Sequence, residues 1–513
     1  VRAARLLLAA ALAAALLRCA PEPPPVPPVP PRPAETAPPP PVASAALRPD
    51  ESFRERPPAP EPARPFVVPA ATRLRLRNGI PVVVAQQPSS FVAIRIGAAG
   101  GVADVGPERV EVVDEMVRDL MAGAGKRSLP ELRDAFVSLS MPEPEASWDV
   151  DTVSISLLVP AAKLREGIAL AADLALRPSF DPKDLDRRPE LHAAPAEKRD
   201  DADVVESVLR RVLFGSHIYA GGAVPGARRR AVTRADVVSL HARLFDASRL
   251  SIVVAGGAEA KDVAAWLEDA FGAMPRRAGP RPATPAPRPP SGPRLVVVDR
   301  PGAAVATIAM GVVGPADGAA DLEAARLALD ALTDRVFGRI TTRLRGELGY
   351  VQSITTDVTP WLAGGSMRWR MRARSDRVAP VLVEADRILR DFASTGAAAD
   401  DLAGTKARRA LAFASMFETS ASTARELLRP QVYQEPDDTL AKLPGRIAAV
   451  SPEEVKAAAA RWLDADQVRT VVVGDWAALQ ALLAALGWGP VELRTFEGEV
   501  VRPVQGKHGA RER

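Results

Sequence analysis

Disulfides play no part in holding this chain together, because its 513 residues include a single cysteine, Cys19. Histidine is nearly as scarce. His192, His217, His241 and His508 are the only four, and no two lie within reach of each other on one helix. A metal site built on a helical histidine pair is therefore excluded. Aromatic residues make up 4% of the chain, too few for a base-stacking surface. The longest basic cluster, Arg228-Arg229-Arg230 with Arg234 after it, reads as a solvated loop or helix start. Nucleic acid is not an expected partner. No G-x-S-x-G nucleophile turn occurs, and the glycine-rich segment from Gly221 lacks the Lys-Ser/Thr pair of a phosphate loop. No apolar run approaches the roughly 20 residues that a membrane helix needs.

What the chain does have is proline, 50 residues of it, with much of it in two stretches. The first comes after an N-terminal segment that reads as an export signal. Arg2 and Arg5 precede the apolar run Leu6 to Leu17, and Arg18-Cys19 follow at once. The arrangement looks like a bacterial lipoprotein signal over residues 1–19, with Cys19 the lipid-attachment residue. Arg18 departs from that pattern, which wants a small residue there, and plain secretion is the alternative. Residues 20–66 form a Pro-rich tether with too little apolar surface to fold. The expectation is a lipid-anchored protein on the periplasmic side of a bacterial outer membrane.

The rest reads as two copies of one plan, residues 67–275 and 293–490, joined by a Pro-rich linker at 276–292 and followed by a disordered tail at 491–513. VTRADVVSLHARLFDASRLSIVVAGG from Val232 aligns without a gap with VSPEEVKAAAARWLDADQVRTVVVGD from Val450. Thr233 and Ser451 are helix N-caps, with Asp236 and Glu454 placed to complete capping boxes. A helix, a turn and a β-branched strand follow in each copy. The copies also start alike. TRLRLRNGIPVVVAQ reads as a hairpin with Asn78-Gly79 as a type I′ turn, and FVAIRIG from Phe91 as the next strand. The fold class is α+β: two homologous domains, each a mainly antiparallel sheet with helices packed on it.

A duplicated unit of this size, with a strand of the form Asn-Gly-apolar-apolar-apolar at its start, resembles the insulinase/pitrilysin zinc peptidases. LRGELGYVQS, Leu344 to Ser353, is similar to that family's L-R-E-x-L-G-Y-x-Y-S segment. The resemblance covers nearly all of residues 70–480. In the family, zinc is held by a helical H-x-x-E-H and a later glutamate, and the intervening glutamate activates water. The same place here reads D-E-M-V-R. Asp114 stands for the first histidine, Val117 for the glutamate and Arg118 for the second histidine. The later glutamate position falls near Ala193, flanked by Glu190 and Glu197 with His192 adjacent. An arginine has no lone pair to give a metal and a valine cannot act as a base. Asp114 and Arg118 are instead spaced to form an ion pair. Calcium held by Glu111, Asp114 and Glu115 is a lesser alternative, opposed by Arg118.

The resemblance also implies a substrate-steadying arginine and tyrosine in the second half. Arg345 matches the arginine, and Gln352 stands at the tyrosine position. The implied protein is a chain without zinc or any other expected cofactor. It would be a non-catalytic subunit that binds peptide or unfolded polypeptide, as a homo- or heterodimer with a zinc-bearing relative. Two readings stay beside it: an active metal-dependent endopeptidase with a non-standard site, and a scaffold of a membrane complex. His241, and the alternating Met367, Trp369 and Met371, read as packing residues, although that apolar face could also grip an extended peptide.

Overall fold

Strand and helix formation follow the hydrophobic periodicity of the chain. The computed structural model describes residues 66–182, 198–221, 232–277, 279, 281–334 and 337–501. Eight strands come from the first half: β1 Ala71–Arg75, β2 Pro81–Gln86, β3 Phe91–Ala99, the short β4 Gly123–Ala124 and β5 Arg127–Ser128, β6 Glu145–Asp149, β7 Thr152–Pro160 and β8 Leu250–Gly256. Six come from the second: β9 Leu295–Asp299, β10 Val305–Gly314, β11 Val351–Trp361, β12 Gly364–Arg374, β13 Arg469–Gly474 and β14 Val491–Arg494. Twelve of them build two six-stranded sheets, ordered β1-β2-β8-β3-β7-β6 and β14-β9-β13-β10-β12-β11, and β4 and β5 pair with each other. The second order is the first repeated. β2 runs parallel to β8 as β9 does to β13, and the pairs among β8, β3, β7 and β6 are antiparallel like those among β13, β10, β12 and β11.

The repeat seen in sequence is a repeat in register. Ile252 of β8 lies opposite Val82, and its aligned partner Thr470 of β13 lies opposite Leu295. Both expected capping boxes are formed: Thr233 caps helix Arg234–Leu244 with Asp236, and Ser451 caps helix Pro452–Trp462 with Glu454. The sheets differ at one edge. The first ends in the antiparallel hairpin strand β1, the second in β14, parallel to β9. Val491–Arg494 therefore does not open a disordered tail. Val491 and Leu493 pack against the second core, and the chain turns back so that Val501 N–H donates to the Leu493 carbonyl.

The β1–β2 turn also differs from expectation. Asn78 does not adopt a positive φ; Gly79 alone does, at 89°. Gly79 N–H donates to the Leu76 carbonyl and Leu76 N–H to the Ile80 carbonyl. This is a three-residue loop with glycine in the left-handed position, not a type I′ turn. The Asn78 side chain is engaged elsewhere. Its amide donates to the carbonyl of Phe271 at 2.8 Å, which ties the loop to the end of helix Ala260–Phe271.

Central strands such as VVVA of β2 are apolar on both faces, so each sheet needs cover on two sides. One face of each is covered by helices of its own half. The other is covered by a helix from the opposite half. Helix Ser420–Tyr433 lies on β3 and β8, and helix Asp201–Phe214 lies on β10 and β13. Close approach is possible because β3 carries Gly97, where a Cβ would sit 2.7 Å from Leu428. From Phe66 on, the chain forms one compact unit.

The Pro-rich connector is not simply exposed. Arg281, Thr284, Pro287, Pro290 and Pro293 are half-buried and the residues between them exposed. That is the three-residue period of a polyproline II helix with one face pressed on the protein. Arg281 pairs with buried Asp151, His217 Nε2 donates to the Pro285 carbonyl at 2.9 Å, and Arg469 donates to the Pro290 carbonyl at 2.6 Å. These partners come from both halves, so the connector is a strap across them.

Candidate functional site

Helix Val110–Asp119 presents Val112, Val113, Met116 and Val117 to the first core, while Val110 packs with helix Asp201–Phe214. Its other face is half-exposed and carries Glu111, Asp114, Glu115 and Arg118. The expected ion pair is formed: Arg118 closes on Asp114, and its second amino group lies 3.6 Å from Glu115. The indole of Trp148 donates to Asp114 at 3.4 Å. Val117 is 6% exposed and belongs to the core.

These donors do not fit zinc. One position is a carboxylate already held by a guanidinium and an indole, one an alkyl group, one a cation. They do not suit calcium either, because Glu111 pairs with Arg109 at 3.4 Å and Glu115 faces Arg118. Among the described residues no three His, Cys, Asp or Glu side chains are grouped to hold a metal. Glu190, His192, Ala193 and Glu197 lie outside the described residues, as do Cys19, His508 and Arg228 to Arg230.

Trp148 sits on β6, the edge strand of the first sheet, and also lines a cleft of about 580 Å³. The cleft runs between β6, the Asp357–Pro360 end of β11 and helix Ser420–Tyr433, with Arg95 of β3 among its lining. Its chemistry is polar and mixed in sign. At one end, Asp149 accepts the indole N–H of Trp361 at 3.0 Å. Beside it, Asp151 is fully buried. It is paired with Arg281 and accepts from Leu362 N–H at 2.9 Å and the Tyr433 hydroxyl at 3.4 Å. Burial pushes the Asp151 carboxyl up, and Arg281 pulls part of that back.

Arg345 and Gln352 are close in the chain but outside this cleft. Arg345 lies on a single π-helical turn, Thr342–Glu347, whose Arg343 is anchored by Glu384 at 2.8 Å and Glu347 at 2.6 Å. Gln352 is exposed at a bulge between Val351 and Ser353 of β11. At ~3.3 Å per residue it stands roughly 17 Å from the part of β11 that lines the cleft. His241 is a packing residue. Its Nε2 donates to the Ala175 carbonyl at 2.9 Å, its ring stacks on Phe245, and burial lowers its pKa. Met367, Trp369 and Met371 are wholly inside the second core, so that face does not meet a ligand. Arg95, Trp148 and Asp151 were not singled out from sequence. Only Arg95 left a signal there, as a lone charge in the apolar strand FVAIRIG.

Residues 231–409 match the family model described as the peptidase M16 inactive domain. No curated protein matches this chain. Among solved structures, it is similar to a peptidase M16 inactive domain from Pseudomonas fluorescens, with a TM-score of 0.71 and 18% identity, covering 79% of this chain and 98% of that one. It is also similar to a protease from Helicobacter pylori, with a TM-score of 0.72 and 14% identity, covering 80% and 100%. At these identities the likeness establishes the fold, and it spans both sheets of the chain.

Proposed function

We propose that this chain is an exported, non-catalytic homologue of the M16 peptidases, a subunit that binds peptide or unfolded polypeptide beside a zinc-bearing relative and is held at the membrane through Cys19. The observation that carries the reading is the Asp114–Arg118 ion pair with Val117 between its partners in the helix. Of the positions that would hold zinc and activate water, Val117 and Arg118 can do neither, and the Asp114 carboxylate is taken up by Arg118 and Trp148. A cleft lies beside them, with Trp148 in its lining. β6 is an edge strand, so its free backbone groups could take an extended peptide as an added strand.

The test has two parts, made on the whole chain purified without a zinc-binding tag. Elemental mass spectrometry should find zinc far below one per chain. Anisotropy of labelled unstructured peptides should report binding that a chelator does not change. Near-stoichiometric zinc with chelator-sensitive hydrolysis would instead establish the endopeptidase alternative. Absence of any peptide affinity would leave the scaffold reading.

A further inference from the structure

Four guanidinium groups line the cleft, those of Arg95, Arg326, Arg425 and Arg429. Three have a carboxylate partner. Arg326 meets Glu323 at 2.8 Å, Arg425 meets Glu426 at 3.1 Å, and Arg429 meets Asp317 and, at 3.2 Å, Glu435. Arg95 has none among the described residues. Its two amino groups donate to Ser156 Oγ at 2.7 Å and Ser154 Oγ at 2.9 Å. Ser154 is held in turn by Ser147 at 3.1 Å. The Nε of Arg95 is buried without a hydrogen-bond partner.

The register explains this arrangement. Arg95 of β3 lies opposite Ser156 of β7, and Ser156 opposite Glu145 of β6. A serine therefore separates the arginine from the acid that would neutralise it. Glu145 and Glu426 act on Arg95 only at longer range, and burial lowers its pKa. The guanidinium remains charged, short of water and without a contact counter-ion. Two serines fix its plane, and each amino group retains a second N–H, the fork that a carboxylate meets.

We propose that Arg95 is the anion-recognition point of the cleft, and that the peptide bound there offers it a carboxylate, from an acidic side chain or from its C-terminus. The inference rests on the peptide-binding reading above and names the class of peptide.

The probes are four labelled decapeptides of otherwise neutral residues: a central Glu or Gln, each as free acid or C-terminal amide. Anisotropy titrations use the intact chain. A side-chain source makes the Gln peptides bind about tenfold more weakly, and a terminal source does the same for the amides, as expected for a lost charge-assisted hydrogen bond. Arg95→Gln should abolish the difference and Arg95→Lys keep part of it. Near-UV circular dichroism checks the fold of each. Should Arg95→Gln fail to fold, the Ser154→Ala, Ser156→Ala double variant, which releases the guanidinium, should shrink the same difference. Four peptides of equal affinity for the unaltered chain would overturn the role of Arg95 and leave peptide binding standing. No binding by any of them would overturn both.

Discussion

Asp151 and Arg281 form an ion pair where four segments of the chain meet. Asp151 is in the turn between β6 and β7, and Arg281 is in the strap. Leu362 of the β11–β12 turn and Tyr433 at the end of the exchanged helix bind the other carboxylate oxygen. Arg281→Ala leaves a buried carboxylate unpaired, which costs ~3–5 kcal/mol. The urea midpoint should fall accordingly, and protease cleavage within the strap should quicken. An unchanged midpoint would show that the strap does not hold the halves together.

The reciprocal helices make each half incomplete alone. A fragment of residues 66–275 exposes the face of β3 and β8 that Leu427 and Leu428 cover, and a fragment of 276–501 exposes the face of β10 and β13 that Val208 and Leu209 cover. Expressed singly, each should lack near-UV circular dichroism or be insoluble. Expressed together, they should associate and recover it. A sharp, cooperative thermal transition in either fragment alone would contradict this.

Asp114→Ala separates structure from metal binding. The Asp114–Arg118 pair is partly exposed, so its loss should cost less than ~1 kcal/mol. Zinc content should not change, because the Asp114 carboxylate is engaged by Arg118 and Trp148. A measurable loss of bound zinc in this variant would identify Asp114 as a ligand.

Glu384 anchors the π-turn that carries Arg345. Hydrogen bonds from Arg387 and then Arg343 pull its carboxyl from 4.5 to about 2. The unfolded chain thus binds this proton more tightly than the folded one. The stabilisation is full above pH 4.5 and disappears as the pH falls toward 2. Glu384→Gln should flatten this part of the acid-denaturation curve while leaving the neutral-pH part lower and parallel.

His241 gives a second pH leg, higher on the scale. Burial holds its folded pKa below 6.5, so the unfolded chain takes up the proton first. Stability contributed by the neutral ring is full above pH 6.5 and lost as the pH falls toward the folded value. His241→Leu should cost about 1–3 kcal/mol at neutral pH, because the Ala175 carbonyl loses its donor. It should also remove this leg from urea titrations compared at about pH 7 and about pH 5.5.

Local chemistry determined what the sequence could show. Capping residues, alternation and the aligned segments from Val232 and Val450 act over a few residues, and both boxes and the shared register follow from them. The i, i+4 spacing of Asp114 and Arg118 likewise dictated their pairing. Tertiary structure decided the rest, because it depends on partners far apart in the chain. Asn78 reads as a type I′ turn until the end of helix Ala260–Phe271 claims its side chain. Val491–Arg494 is too short to announce itself as a strand until β9 offers its free edge. Nothing in the sequence near Arg95 says that the next strand meets it with two serines and leaves Glu145 one strand further off, nor that a helix more than three hundred residues away packs on its strand. A cleft is a relation between distant segments, and that relation exists only in the folded chain.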